Sequence, residues 1–290
     1  MDVPVLSRHA VDRRTAARAD EAALDRAWAD PATRIFPVTA DGRAPLRSGR
    51  LAARSTAGPR PADAFYLGRD EEGDWFSLVV DELPEGPSGG LREVADVLDA
   101  RDGGLFVHAI ALLNWHAGHN HCPRCGTPTD VFEGGHVRRC PRDGSSHFPR
   151  TDPAVIMLIT DPTGAKVLLG RQHSWPSSRF SCLAGFVEPG EAAEQAVVRE
   201  TYEETAVTVR DVRYVASQPW PFPASLMLGF RGTADPAQQI DVGEDELAEA
   251  RWFDRRQVRD QAELTLPGSV SIARLMIEGW LAEGSVANPG

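Results

Sequence analysis

The chain has 290 residues, of which 42% are hydrophobic and 25% are charged, a globular composition with room for two domains. Its formal net charge of −11 argues against nonspecific binding to nucleic acid, because a phosphate backbone selects basic surfaces. No window approaches the roughly 18 apolar residues of a membrane span. The first residues have neither the apolar core nor the cleavage site of a signal peptide, so we expect a cytoplasmic protein.

The first part of the chain, residues 1–118, mixes helical and strand patterns and shows no residues that indicate chemistry. We expect an α+β domain here. Pro37 should interrupt the first of its strands, because proline cannot donate to a strand ladder. The expected helices cover residues 15–29, 91–100 and 105–117, and the expected strands cover residues 34–38, 64–68 and 75–80.

Residues 119–150 form a second segment, in which three of the four cysteines cluster. Cys122 and Cys125 have two residues between them and a glycine after them, the pattern of one zinc-ribbon knuckle. The second knuckle has Asp143 where a fourth cysteine is usual, and a carboxylate oxygen can also bind zinc. The sequence therefore predicts a small module whose Zn²⁺ supplies folding energy rather than catalysis. The predicted ligands are Cys122, Cys125, Cys140 and Asp143.

The identity of the fourth zinc ligand stays open at this point. His121, His136 and His147 lie in the same segment and are rivals of Asp143. A further alternative is a ribbon that has lost its metal and persists on packing alone.

The third segment, residues 151–290, alternates strands with two long helices. This alternation predicts a mixed sheet between helices. The expected strands cover residues 154–160, 166–171, 207–216, 226–231 and 250–253, and a helix is expected over residues 269–283.

The other long helix carries the most informative residues. Gly185 and Pro189 mark a loop, and the sixteen residues from Glu191 onward contain neither glycine nor proline, which favours a helix. Glu200, Glu203 and Glu204 then share one face of that helix and repel one another. A solvated acidic helix is the plain alternative. A bound divalent cation would turn the repulsion into attraction, and hard oxygen ligands suit Mg²⁺ or Mn²⁺.

This segment resembles the Nudix box, G-x5-E-x7-R-E-U-x-E-E-x-G-U, in which U is aliphatic. Thr201 replaces an aliphatic residue of the pattern, and Ala206 replaces its last glycine. Because alanine tolerates positive φ poorly, we expect that the chain does not take the left-handed conformation at Ala206. The residues that match the pattern are Gly185, Glu191, Arg199, Glu200, Glu203, Glu204 and Val207.

A second motif, SQPWPFPAS at residues 217–225, resembles the signature of the NADH pyrophosphatase branch of the Nudix hydrolase family. The order of the chain matches that branch too, with a ribbon before the box and this motif after it. Its three prolines stiffen the segment, and Trp220 and Phe222 offer flat faces to a base. The predicted substrate contacts of the motif are Gln218, Pro219, Trp220, Pro221, Phe222, Pro223, Ala224 and Ser225.

The resemblance implies a fold, an activity and a set of site residues. The fold is an α+β protein whose Nudix domain is an α/β/α sandwich with a mixed sheet. The activity is hydrolysis of the diphosphate bond of NADH or NAD⁺ to NMN(H) and AMP with Mg²⁺ or Mn²⁺, together with removal of NAD caps from RNA 5′ ends. A homodimer is also implied.

The resemblance places Glu200, Glu203, Glu204 and Glu246 at the catalytic metal, with Glu203 a ligand or a base. Glu249 is the close rival of Glu246. Arg199 should orient the carboxylates rather than touch the substrate, since Glu203 follows it at i+4. The resemblance also maps Phe148, Phe186 and Ala273 to substrate contacts. It implies that Phe148 reaches across the dimer.

Two other functions remain as alternatives. A broader Nudix enzyme would cleave ADP-ribose or dinucleoside polyphosphates. A nucleic-acid-binding module with a zinc ribbon and an inactive Nudix fold would be a protein of another class. The second alternative predicts loss of the box carboxylates, and all of them are present.

Overall fold

The computed structural model describes residues 3–243 and 246–283. Within these ranges, none of the helices has the length and apolar character needed to cross a membrane. The chain divides into two compact units. One contains residues 8–151 and 220–224, and the other contains residues 1–7, 152–219 and 225–290. The expected boundary after residue 118 falls inside the first of these units, so a separate ribbon domain over residues 119–150 stays a prediction.

The unit that contains residues 8–151 is built on a four-stranded sheet with the order β4-β1-β6-β5. Two further three-stranded sheets have the orders β3-β2-β7 and β10-β9-β8. The helices are α1 (Thr15–Arg18), α2 (Glu21–Ala29), α3 (Leu91–Val94) and α4 (Ala100–Gly118). The strands are β1 (Arg34–Thr39), β2 (Arg43–Arg47), β3 (Arg50–Leu51), β4 (Arg54–Ser55), β5 (Phe65–Arg69), β6 (Asp74–Val80), β7 (Ser88–Gly90), β8 (Asp130–Phe132), β9 (Val137–Arg139) and β10 (Ser146–His147).

Helices cover both faces of the four-stranded sheet. Ile35 of β1 belongs to a buried cluster with Leu24 and Trp28 of α2. The next residue, Phe36, lies edge-on against Phe106 of α4, with ring centroids 6.4 Å apart. Because successive strand residues point to opposite faces, this alternation gives each helix its own side of the sheet.

The structure corrects several expectations for this unit. The helix expected over residues 15–29 is two helices, because the Asp20 carboxylate accepts a hydrogen bond from the Ala23 amide and begins α2 afresh. Pro37 does not interrupt β1. Strand β4 pairs only with Arg34 and Ile35 of β1, so that edge of β1 is unpaired at Pro37. The missing N–H of Pro37 therefore costs β1 little. The helix expected over 91–100 ends at Val94, and strands β2, β3, β4 and β7 were not predicted.

The sheet β10-β9-β8, called the ribbon sheet, packs against the rest of this unit at two glycines. A Cβ on Gly134 would lie 2.6 Å from the Tyr66 Cβ, and one on Gly135 would lie 2.6 Å from a Phe65 ring carbon. Both glycines also have positive φ, which larger residues rarely adopt. Close by, the Nε2 atoms of His108 and His136 are 3.0 Å apart. The ribbon and α4 are therefore packed together.

The other unit contains a six-stranded sheet with the order β14-β15-β11-β12-β16, in which β13 also pairs with β11. The β11–β15 pair is parallel and the β11–β12 pair is antiparallel, so the sheet is mixed. The strands are β11 (Asp152–Thr160), β12 (Lys166–Gln172), β13 (Leu183–Phe186), β14 (Arg210–Trp220), β15 (Ser225–Thr233) and β16 (Leu247–Asp254). The helices are α5 (Ala193–Thr205), α6 (Arg255–Asp260) and α7 (Ile272–Glu283).

Strand β11 shows why this sheet is covered on both sides. Val155 and Met157 pack in a cluster with Val197 of α5, whereas Ile156 packs in a cluster with Met276 of α7. A strand buried on both faces reads as a continuous apolar run, which is what residues 154–159 show. The expected α/β/α sandwich is therefore confirmed. The sequence analysis did not predict α6.

Candidate active site and candidate zinc site

Gly185 and Glu200 meet where β13 faces α5. A Cβ built on Gly185 would lie 1.9 Å from the Glu200 carboxyl carbon. Real Cβ atoms do not come so close, so only glycine leaves room for this carboxylate. The glycine that begins the Nudix pattern is thus required in this chain for steric reasons.

Arg199 connects the carboxylates around this point. Its Nε and Nη2 donate to both oxygens of Glu191 at 2.8 and 2.7 Å. Its Nη1 donates to Glu200 and to Glu203, each at 2.9 Å, and Nη2 also donates to the Phe186 carbonyl oxygen at 2.9 Å. The hydrogen bonds from Arg199 lower the pKa of Glu191 to about 2. Arg199 therefore holds three carboxylates in fixed directions.

Glu204 has no such partner. Its side chain is 7% exposed, and its Oε2 accepts no hydrogen bond from any residue that the structure describes. Burial, followed by the charges of Glu200 and Glu246, raises the pKa of Glu204 to about 8. Burial also raises the pKa of Glu200, against the effect of Arg199. A buried carboxylate oxygen without a donor, among other carboxylates, fits a hard divalent cation.

The surroundings distinguish Glu246 from its rival Glu249. Behind burial, the charge of Glu246 adds to the rise in the pKa of both Glu200 and Glu204. Glu249 lies on β16 and forms ion pairs with Arg171 at 3.6 Å and Arg251 at 3.4 Å. The electrostatic effect of Glu246 on the cluster, and the ion pairs of Glu249 elsewhere, favour Glu246 over its rival.

The two departures from the Nudix pattern have different consequences. Thr201 is fully buried, and its hydroxyl donates to the Val197 carbonyl oxygen at 2.7 Å, so it packs as an aliphatic residue would. The expectation for Ala206 is wrong. This residue ends α5 in the left-handed conformation, with φ 57° and ψ 14°. The helix ends as it would with glycine there, because the Ala206 amide donates to the Tyr202 carbonyl oxygen at 2.7 Å.

Several predicted substrate contacts lie in the unit that holds α5. Phe186 is 60% exposed and directly precedes the loop that leads to the helix. Gln218 is buried, and both polar atoms of its amide lack a partner among the described residues. Pro219 is the last residue of the segment 152–219 of this unit, and Ser225 is the first residue of β15. Ala273 lies on α7 in the buried core, and the whole residue is 1% exposed.

The rest of the proline-rich motif, Trp220–Ala224, belongs to the other unit. The Trp220 and Phe222 rings meet edge-on with centroids 5.1 Å apart, and the Arg92 guanidinium lies over both. The Asn114 amide also holds this segment, through the carbonyl oxygens of its prolines. The sequence analysis missed Arg92 and Asn114, because no local pattern marks a contact across more than a hundred residues.

The ribbon brings its three cysteines and Asp143 together. One ligand atom from each of the four residues lies within 4.8 Å of all the others. The Cys125 and Cys140 sulfur atoms are 3.5 Å apart, and Asp143 accepts from Cys122 at 3.4 Å. Three thiols and one carboxylate in a closed cluster fit a structural zinc site.

His121 and His136 have other partners, whereas His147 also lies beside the Cys122 thiol. His121 contacts the side chain of Asn120 at 2.6 Å, and His136 contacts His108. His147 contacts the Ser145 hydroxyl at 3.1 Å, and that hydroxyl donates to Asp143. The geometry therefore favours Asp143 as the fourth ligand and makes His147 the next candidate. Phe148, one residue further on, is 65% exposed.

Comparison with known proteins finds matches to both segments. Residues 150–275 match the model of the NUDIX domain, and residues 117–148 match that of the NADH pyrophosphatase zinc ribbon domain. The chain is 40% identical over 301 residues to the NAD-capped RNA hydrolase NudC of Mycobacterium tuberculosis, covering 97% of this chain and 95% of that protein. It is 42% identical over 198 residues to human NAD-capped RNA hydrolase NUDT12, covering 63% of this chain and 43% of that protein.

Proposed function

Because the chain belongs to the Nudix hydrolase family, in its NADH pyrophosphatase branch, we propose that it hydrolyses the diphosphate bond of NADH and NAD⁺. The products are NMN(H) and AMP. The observation that carries the proposal is the cluster of Glu200, Glu203 and Glu204, with the hydrogen-bonding groups of Arg199 directed at two of them.

A second substrate is an RNA whose 5′ end carries NAD. The bond to be cleaved is the same, and the relatives in Mycobacterium tuberculosis and human are both named for this activity. The net charge of −11 favours contacts with the first nucleotides only, since a long RNA needs a basic surface.

The catalytic cation is proposed to be Mg²⁺ or Mn²⁺, held by Glu200, Glu203, Glu204 and Glu246. When bound, such a cation neutralises phosphate charge and lowers the pKa of a water ligand. Arg199 keeps Glu200 and Glu203 in place through its hydrogen bonds. Glu204 needs its proton removed before it can bind a cation, because a metal ligand must be deprotonated.

Substrate binding is proposed for the same residues as in the sequence analysis. Trp220 and Phe222 offer their rings to a base, and stacking of this kind is worth about 1–3 kcal/mol per base in single-strand binders. Phe186 and Phe148 are exposed enough to stack as well. The unpartnered amide of Gln218 can bond a polar group of the substrate. For Ala273 we propose a substrate contact on the ground of the family resemblance alone.

The ribbon is proposed to hold Zn²⁺ in a structural role through Cys122, Cys125, Cys140 and Asp143. Clustered free thiols of this kind are usual in a reducing compartment, which supports a cytoplasmic location. A homodimer remains a proposal drawn from the family resemblance.

The experiment that tests the function is product analysis with a matched pair of variants. Wild-type protein is incubated with NADH and Mg²⁺ or Mn²⁺, beside Glu246→Gln and Glu249→Gln, and the nucleotides are separated by chromatography. We expect NMNH and AMP from the wild type, at least tenfold less from Glu246→Gln, and wild-type amounts within about twofold from Glu249→Gln. Cleavage of ADP-ribose or dinucleoside polyphosphates without cleavage of NADH would refute the substrate. Inactivity toward all of these, and toward NAD-capped RNA, would refute the enzymatic function.

A further inference from the structure

The segment Trp220–Ala224 has few means of holding its own shape. Pro221 and Pro223 have no backbone N–H to donate. The Phe222 amide donates to the Trp220 carbonyl oxygen at 2.7 Å, a contact that spans only two residues. The shape of the segment therefore depends on groups from elsewhere in the unit.

Asn114 supplies two such contacts. Its Nδ2 lies 2.7 Å from the Pro221 carbonyl oxygen and 3.3 Å from the Pro223 carbonyl oxygen. Both partners are acceptors, so the atom that faces them must be the amide nitrogen, which carries two hydrogens. One side chain thus holds the residues on either side of Phe222.

Asn114 itself lies on a well-packed part of a helix. It is half-buried on α4, between the buried residues Leu113 and Trp115. On the segment that it holds, the Phe222 ring centroid lies 4.0 Å from the Arg92 guanidinium carbon and the Trp220 centroid lies 5.0 Å from it. Arg92 covers part of the rings, whereas Asn114 controls the backbone that carries them.

We propose that Asn114 is a positioning residue, which fixes Trp220–Ala224 so that the Trp220 and Phe222 rings are ready to stack on the base of the substrate. This inference rests on the proposed function. Asn114 itself touches neither the substrate nor the reacting atoms. Its contribution is to reduce the conformational freedom that the segment loses when the base binds.

The test uses a substitution that keeps the shape of the side chain. Asn114→Asp replaces the amide nitrogen with an oxygen, so an acceptor then faces two acceptors and repels them. Asn120→Asp makes the same change of charge in the same unit. It is the matched control, because the Asn120 side chain contacts His121 through its oxygen and, within the described part of the chain, forms no hydrogen bond with the motif.

We expect Asn114→Asp to raise KM for NADH by about three- to tenfold and to leave kcat within about twofold, since the loss is in binding. Asn120→Asp should leave both constants near wild type. In a background that carries both Trp220→Ala and Phe222→Ala, Asn114→Asp should have no further effect on KM, because the residue acts through the two rings. Asn114→Ser keeps one donor and should raise KM less, and it replaces Asn114→Asp if that variant does not fold.

Three results would overturn the inference. Unchanged KM in the Asn114 variants, beside a raised KM in Trp220→Ala, would refute the role of Asn114 and keep that of the rings. Effects on KM that add when Asn114→Asp is combined with the double ring variant, or a loss of kcat and thermal stability at constant KM, would refute it as well. If Trp220→Ala also leaves KM unchanged while NADH is still hydrolysed, the stacking role of the motif in the proposed function is what fails.

Discussion

The carboxylate cluster of α5 and the thiol cluster of the ribbon depart from their family patterns in different ways. The helix departs at Thr201 and Ala206, and neither residue is a candidate ligand. The ribbon departs at Asp143, which lies in the ligand cluster itself. In the first cluster the departure affects the backbone and the packing, whereas in the second it affects the chemistry of the metal site.

The two clusters also differ in what they need from a cation. Glu204 is buried beside like charges and has an oxygen to which no described residue donates, so its ionised form is unfavourable until a cation binds. In the ribbon, Asp143 already accepts hydrogen bonds from Ser145 and Cys122. A cluster that repels itself suits exchangeable catalytic ions, and a closed cluster suits a retained structural ion.

The largest effect is expected from Glu204→Gln, which keeps the shape of the side chain and removes its charge. Activity should fall by about 10²–10³-fold, because a charged ligand is lost from the catalytic site. Turnover of NADH at saturating Mn²⁺ is the measurement. Near wild-type turnover would show that the crowded carboxylates do not serve a cation.

The same variant should be more stable than wild type when divalent ions are removed. The pKa of Glu204 is about 8 in the fold and 4.5 ordinarily, so the folded protein binds this proton more tightly than the unfolded chain does. The stability that the protonated Glu204 carboxyl group contributes is therefore fully present below pH 4.5, and it is lost as the pH rises through 8. We expect Glu204→Gln to have the higher free energy of unfolding at pH 8, by about 4 kcal/mol, with little difference at pH 4.5. Urea unfolding in chelator at both pH values measures this, and equal stabilities at pH 8 would contradict it.

Gly185→Ala should disturb the same cluster without removing a charge. The added Cβ would collide with the Glu200 carboxyl group, which must then move away from its place beside Arg199. We expect the Mg²⁺ concentration for half-maximal activity to rise about tenfold or more. Gly190→Ala is the control, since that position has φ 87° and no described neighbour within 4 Å of a new Cβ. It should lower stability slightly and leave the Mg²⁺ dependence unchanged, and the same response from both variants would exclude a steric role for Gly185.

Asp143→Cys and Asp143→Ala test the departure in the ribbon. Four thiolates bind zinc more tightly than three thiolates and a carboxylate, so Asp143→Cys should retain zinc longer in chelator and raise the melting temperature by several degrees. Asp143→Ala should lose zinc, while His147→Ala should keep it. Zinc content after dialysis against chelator is the measurement. Loss of zinc from His147→Ala and not from Asp143→Ala would make His147 the ligand.

Much of this molecule could be predicted from local pattern. The apolar run of β11 and the spacing of the glutamates on α5 are short-range signals, and they led to the sandwich and to the candidate catalytic face. The start of α2 at Asp20 was also readable, since aspartate is a strong N-cap. What the sequence could not supply depends on distant neighbours. Pro37 is tolerated because of where β4 ends, and the partners of Asn114 lie more than a hundred residues away.

The smallest effect is expected from Ala206→Gly, which restores the family residue at the end of α5. Alanine at φ 57° brings its Cβ close to the following carbonyl oxygen, a cost that glycine does not have. Part of the gain is offset because glycine has more freedom in the unfolded chain. We expect the free energy of unfolding to rise by about 0.5–1 kcal/mol with unchanged kcat. Ala193→Gly, at the first residue of the same helix, should lower it instead, since glycine is a poor helix former. A loss of stability in Ala206→Gly would mean that the left-handed conformation costs this chain nothing, and that the helix departs from its pattern without strain.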